Sequence, residues 1–146
     1  MLRYALTVAL AVFAAPALAQ MTPVGLWKTI SDKNGAVTSE VRIVEHGDSV
    51  IGNVERGLGP DFKPGDKCTK CADDRKDKLI EGLEIIRGVK KRASEDVWDG
   101  GTILDPDNGT VYKVKLTPIE NGNRLEVRGF IGFSLFGRTQ TWIRVQ

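Results

Sequence analysis

Apolar and polar residues alternate along most of this chain, in short runs broken by glycine and asparagine. Tyr112, Val114 and Leu116 alternate with Lys113, Lys115 and Thr117. Leu125 and Val127 alternate with Glu126 and Arg128, and Val41 and Ile43 flank Arg42. A period of two sends successive side chains to opposite faces, so each run describes a strand with one buried and one wet face. The breaks have hairpin chemistry: Asp32-Lys33-Asn34-Gly35, Glu45-His46-Gly47-Asp48, Asp105-Pro106-Asp107-Asn108-Gly109 and Asn121-Gly122-Asn123. Gly and Asn tolerate the positive φ that tight turns demand. The pattern predicts strands at 25–31, 37–45, 49–56, 97–104, 110–118, 124–131 and 138–145.

The stretch Leu79 to Lys91 is ambiguous. Leu79, Leu83 and Ile86 have helical spacing, but Gly82 and Gly88 weaken a helix. We read a turn followed by a strand at 83–90, giving about eight strands, as in barrels of this size. The expected fold is all-β, an antiparallel up-and-down barrel, with a two-sheet sandwich as the alternative. Neither internal repeats nor low-complexity segments are evident. Residues 57–78 interrupt the pattern with three Gly, two Pro and little alternation. A long loop in a compact domain is usually functional, stapled or mobile, and this one carries both cysteines.

The N-terminus has a different pattern. Arg3 precedes a short apolar run from Tyr4 to Ala15, and Ala17-Leu18-Ala19 is a small-x-small cleavage site. Residues 1–19 therefore read as a signal peptide, with the mature barrel domain at 20–146. The run is shorter than the roughly 20 residues a membrane-spanning helix needs. No other segment qualifies, so the mature protein is expected to have no transmembrane segment. It is expected in the periplasm or outside the cell.

Charge narrows the partners. The chain carries 21 Lys and Arg against 19 Asp and Glu, a net +2. That is not the basic footprint of a nucleic-acid binder, and nucleic acid is not an expected partner. Arg75-Lys76-Asp77-Lys78 and Lys90-Lys91-Arg92 are local cationic clusters with acids nearby, and they read as solvated turns.

Candidate chemistry is sparse. Cys68-Thr69-Lys70-Cys71 admits three readings. In an exported protein the pair favours a disulfide closing a small ring. A redox-active pair would gain thiolate character from Lys67 and Lys70, but the motif lies in a loop among strands. A zinc site would need two more ligands. Ala72 after Cys71 excludes the Cys-x-x-Cys-His haem attachment. His46 is the only histidine and falls in a turn. Asp105 to Gly109 is rich in oxygen ligands, but its Gly is fifth rather than sixth as in an EF-hand loop, so a hairpin turn is the better reading. Asp73, Asp74, Glu81 and Glu84 offer carboxylates without marking a catalytic pair. No catalytic residue, metal or cofactor is assigned. Phe130-Ile131-Gly132-Phe133-Ser134-Leu135-Phe136-Gly137 is uncharged and aromatic. Phe133, Leu135 and Phe136 are expected to plug the barrel end. The alternative makes Phe130, Phe133, Leu135 and Phe136 a lid or a surface for ligand, partner or membrane.

The ends look complementary. Gly25-Leu26-Trp27 opens the first strand, and Trp142-Ile143-Arg144 closes the last. By analogy with lipocalins, Trp27 would pack across the barrel floor with Arg144 near its ring, although parity also places Arg144 on the face of Trp142. Gly25, Trp27, Trp142 and Arg144 are thus the expected closure residues. The chain also resembles the exported bacterial family called domain of unknown function 2147. The resemblance runs through Gly25-Leu26-Trp27, Cys68-Thr69-Lys70-Cys71, Gly82-Leu83-Glu84-Ile85, Gly100 to Pro106, Asn108-Gly109, Val127-Arg128-Gly129-Phe130 and Gly137 to Trp142. It implies a calycin-like, lipocalin-like barrel and supplies no activity, substrate or catalytic residue. The expected function is a binding module for a small apolar or amphipathic envelope molecule. The alternatives are an envelope protein-interaction or structural factor without a small ligand, and a Cys-x-x-Cys redox or metal protein.

Overall fold

The computed structural model describes residues 21–133 and 135–146, so the expected leader at 1–19, its cleavage point before Gln20, and Ser134 lie outside the described residues. Eight antiparallel strands follow one another around a closed barrel. They are β1 (Gly25–Ile30), β2 (Val37–His46), β3 (Ser49–Gly57), β4 (Glu84–Lys91), β5 (Trp98–Asp105), β6 (Thr110–Ile119), β7 (Arg124–Phe130) and β8 (Gly137–Arg144). Each strand pairs with its neighbours in sequence, and β8 returns to β1. Closure excludes the two-sheet sandwich. The ambiguous segment is strand from Glu84 onward, where Ile86 pairs with Gly52 on one side and Ile103 on the other.

Register decides what faces inward. Trp27 pairs with Val41, Val41 with Val54, Leu116 with Val127 and Leu125 with Trp142. Directly opposed residues share a face, so this set lines the interior. Trp27, Val41, Ile43, Ile86, Val89, Leu116 and Leu125 are fully buried.

The two barrel ends are built differently. One gathers the N-terminal segment 21–24, the Gly47-Asp48 turn, residues 92–97, the 3₁₀ turn Glu120–Gly122 and the C-terminus. Here the Trp27 indole donates to Pro23 O at 2.7 Å. The Arg144 guanidinium lies 4.2 Å from the Trp27 ring centroid. It donates to Gly122 O at 2.5 Å, Thr22 O at 2.6 Å, Val24 O at 2.8 Å and Gln146 O at 3.3 Å. Burial pulls the Arg144 pKa below its ordinary value, and the charge is compensated by carbonyl dipoles and the ring face. Gly25 adopts φ 146°, and a Cβ there would strike Arg144 Nη1. The opening glycine is therefore needed for the arginine to reach across the floor. The β1–β8 register is short, Trp27 with Arg144 and Lys28 with Ile143. Backbone bonds from Leu26 N to Gln146 O and from Val145 N to Leu26 O extend the seam.

Candidate functional site

The opposite end carries residues 31–36, 58–83, 106–109, 131–133 and 135–136. Between them opens a cavity of about 1220 Å³ that descends into the barrel. Its lower wall includes Val54, Ile85, Val127 and Trp142, all buried. Its upper wall includes Phe62, Ile80, Ile103 and Tyr112, with Phe130 and Phe136 at the mouth.

One wall is polar. Thr29 Oγ1 lies 2.7 Å from Thr38 Oγ1 and 2.8 Å from Ser39 Oγ, and all three residues border the cavity. A bulge explains the cluster. Thr29 pairs with Ser39, but Ile30 pairs with Val37, leaving Thr38 as the extra residue. Both Thr38 and Ser39 then present hydroxyls to Thr29. The bulge also frees the Thr38 carbonyl, which accepts from Leu58 N and Gly59 N, both at 3.0 Å. One backbone irregularity thus places hydroxyls in the cup and anchors the start of the long loop. Across the cup, Gln140 Oε1 accepts from the Trp142 indole at 3.1 Å. Gln140 keeps its own amide donors for other partners.

The long loop frames the mouth. Its centre is the ring formed by the Cys68–Cys71 disulfide. Cys68 donates its amide to Lys78 O and accepts from Asp77 N. The ring sits on the β5–β6 turn, where Gly109 has φ 74° and a Cβ would collide with Lys70 O. That turn is closed by Asp105, which accepts from Asp107 N at 2.9 Å and from the Asn108 side chain at 3.0 Å. The hairpin reading of 105–109 holds. Both cysteines are buried, whereas exchange chemistry needs access to a sulfur. In this state they form a disulfide and present no thiolate pair to a metal or to redox chemistry.

Arg75 departs from expectation. It is not part of a solvated turn; only 2% of it is exposed. Its guanidinium donates to Asp73 at 2.6 Å and to Glu84 O at 3.0 Å, while its amide caps the same carboxylate at 2.9 Å. Arg75, through side-chain and backbone bonds, holds the Asp73 carboxyl well below the usual carboxylate range. The Asp-x-Arg spacing was the available signal, because Asp side chains readily bond the amide two residues on. Arg87 grips Asp74 at 2.8 Å and Glu84 at 2.5 Å, tying the loop to β4. The candidate carboxylates Asp73, Asp74 and Glu84 are therefore ion-paired scaffold. Glu81 accepts from Gly57 N at 3.3 Å.

The Phe-rich turn also departs from expectation. Phe133, Leu135 and Phe136 are 77%, 84% and 74% exposed, so they do not plug the barrel. Gly132 at φ 73° turns the chain away from the rim, and Phe136 N bonds Phe133 O to close the tip. Phe130, Ile131 and Phe136 border the cavity, while Phe133 and Leu135 project beyond it. Trp142 lines the cup instead of stacking on Arg144, whose ring partner is Trp27. His46 ends β2 at the floor, exposed and away from the cup. The sequence reading missed Thr29, Thr38, Ser39, Tyr112 and Gln140. Thr29, Ser39, Tyr112 and Gln140 are polar residues at inward-facing parity, whereas Thr38 reaches the cup only through the bulge.

Residues 25–144 match the family described as uncharacterized protein conserved in bacteria (DUF2147). The chain belongs to this family. Its fold is shared with protein HP1028 from the human pathogen Helicobacter pylori, described as belonging to the lipocalin family. The TM-score is 0.71 at 18% identity, over 84% of this chain and 82% of that one. No curated protein matches this chain in sequence. The DUF2147 chain is thus a closed eight-stranded barrel of lipocalin-like form, filled at one end and hollow at the other.

Proposed function

We propose that this protein is a periplasmic binding module that takes a small apolar or amphipathic envelope molecule into the open end of its barrel. The carrying observation is the cup of about 1220 Å³. That volume, counted together with the open rim around Lys33, Asp61 and Asn108, is on the scale of ligand pockets, roughly 300–1,000 Å³. Apolar walls suit the body of such a molecule, and the Thr29–Thr38–Ser39 wall and Gln140 suit its polar groups. The leader-like start and the buried disulfide support export, since disulfides persist in oxidising compartments. A lipocalin-like barrel fits this reading without specifying the ligand.

Native mass spectrometry tests it on protein recovered gently from the periplasm of a bacterial host. The expected spectrum contains a population heavier by one small molecule, lost on organic extraction. Gly129→Phe is the matching variant. Gly129 lies on the inner face opposite Val114, and a Cβ there makes only ordinary contact, 3.5 Å from Tyr112 Cβ. The added ring would therefore occupy the cup. Loss of the adduct in this variant is expected; repeated absence of any adduct from the wild-type protein would contradict the proposal.

A further inference from the structure

We propose that the 131–136 turn docks the mouth of the barrel onto a bilayer containing anionic phospholipid. The turn projects Ile131, Phe133, Leu135 and Phe136, each at least 65% exposed. From Gly129 to Gly137 there is no charged side chain. Exposed apolar clusters of this kind mark interaction sites, and the surroundings indicate the partner. On the outer barrel face directly behind the turn, Lys113 pairs with Phe130 and Lys115 pairs with Arg128. Lys113 is exposed, and alternation puts Lys115 and Arg128 on the same outer face. The rim carboxylate Asp32 is already paired with Arg138 at 2.9 Å.

An apolar tip followed by a cationic collar matches the layers of a bilayer surface. Aromatic and aliphatic side chains enter the boundary of the acyl region, while lysines meet lipid phosphates. Each such cation near an anionic surface contributes on the order of a fivefold gain in partitioning. The lysines behind the tip, Lys113 and Lys115 on one outer face, make an anionic lipid surface the matching occupant. The tip also adjoins the cup, because Phe130, Ile131 and Phe136 border the cavity. Docking in this pose would turn the mouth toward the membrane, and an apolar molecule could pass between bilayer and barrel without crossing water.

Vesicle co-sedimentation of the purified protein tests this. One set of vesicles is phosphatidylcholine alone; the other is an equal mixture with phosphatidylglycerol. Binding is expected on the mixed vesicles and should weaken as salt rises. The double variant Phe133→Ser, Leu135→Ser should lose at least about tenfold in partitioning. Lys113→Gln with Lys115→Gln should lose roughly fivefold per lysine on mixed vesicles only. Melting curves confirm that both variants fold. In Phe133→Trp, the introduced indole should shift to the blue and be quenched by brominated lipid. Wild-type protein that ignores mixed vesicles, or a serine variant that binds as well as wild type, would overturn the proposal. So would loop-dependent self-association or protein capture without vesicle binding. Cup occupancy is read separately by mass spectrometry, so failure of docking and failure of ligand binding remain distinguishable.

Discussion

The floor and the mouth of this barrel are made from the same eight strands by opposite means. At the floor, one arginine satisfies four backbone carbonyls from three chain segments and stacks on a fully buried indole. Little of that surface is left to recognise anything. At the mouth, ion pairs and a disulfide hold the rim while the space inside stays open. Polar groups at the floor are consumed by the fold, whereas hydroxyls and an amide at the mouth retain bonding capacity. The contrast separates residues that close the barrel from residues that can meet a ligand.

Trp27→Ala should have the largest effect on this comparison. The side chain is 0% exposed, and deleting a buried Trp typically costs about 3–5 kcal/mol. Denaturant unfolding measures the loss, and a cost below about 1 kcal/mol would mean that the floor is not the packed end. Arg144→Met should follow, at roughly 1–3 kcal/mol, because it preserves bulk but strips the charged bonds from part-buried carbonyls. Hydrogen exchange should then rise at residues 21–27 and 121–124 before it rises at the mouth.

Much of the fold was legible because its physics is local. Alternation around Tyr112–Thr117 and the turn residues at Asn34-Gly35 and Asn108-Gly109 placed each predicted strand within a residue or two of its observed ends. Gly25, Trp27 and Arg144 could be paired because both chain ends carry them. Arg75 was misread because its burial comes from Glu84 O and the covering loop, contacts invisible in a charged tetrapeptide. The cup wall escaped notice because Thr29, Thr38 and Ser39 converge only through a bulge. The Phe-rich turn was misjudged on composition; apolar residues usually tuck in, but Gly132 carries this tip outward.

Acid should separate the rim from the floor. The folded Asp73 pKa is depressed by Arg75, so its contribution is full above the unfolded carboxylate value near pH 4. It is lost progressively as pH falls through the folded value. Amide exchange at residues 73–84 should increase in acid before exchange at β1 and β8, and Asp73→Asn should remove that acid-sensitive step. Uniform loosening of both ends would dissolve the distinction. The smallest stability change is expected at the tip: Phe133→Ser with Leu135→Ser should alter unfolding by no more than about 0.5 kcal/mol. A large destabilisation would restore the plug.

Titration with a fluorescent polyene fatty acid tests the central claim, that the mouth opens into a ligand-sized cup, most directly. Wild-type protein should give saturable one-to-one enhancement, and Gly129→Phe should abolish it while melting close to the wild-type temperature. Equal binding by the two proteins, or no saturable binding by wild type, would contradict the account.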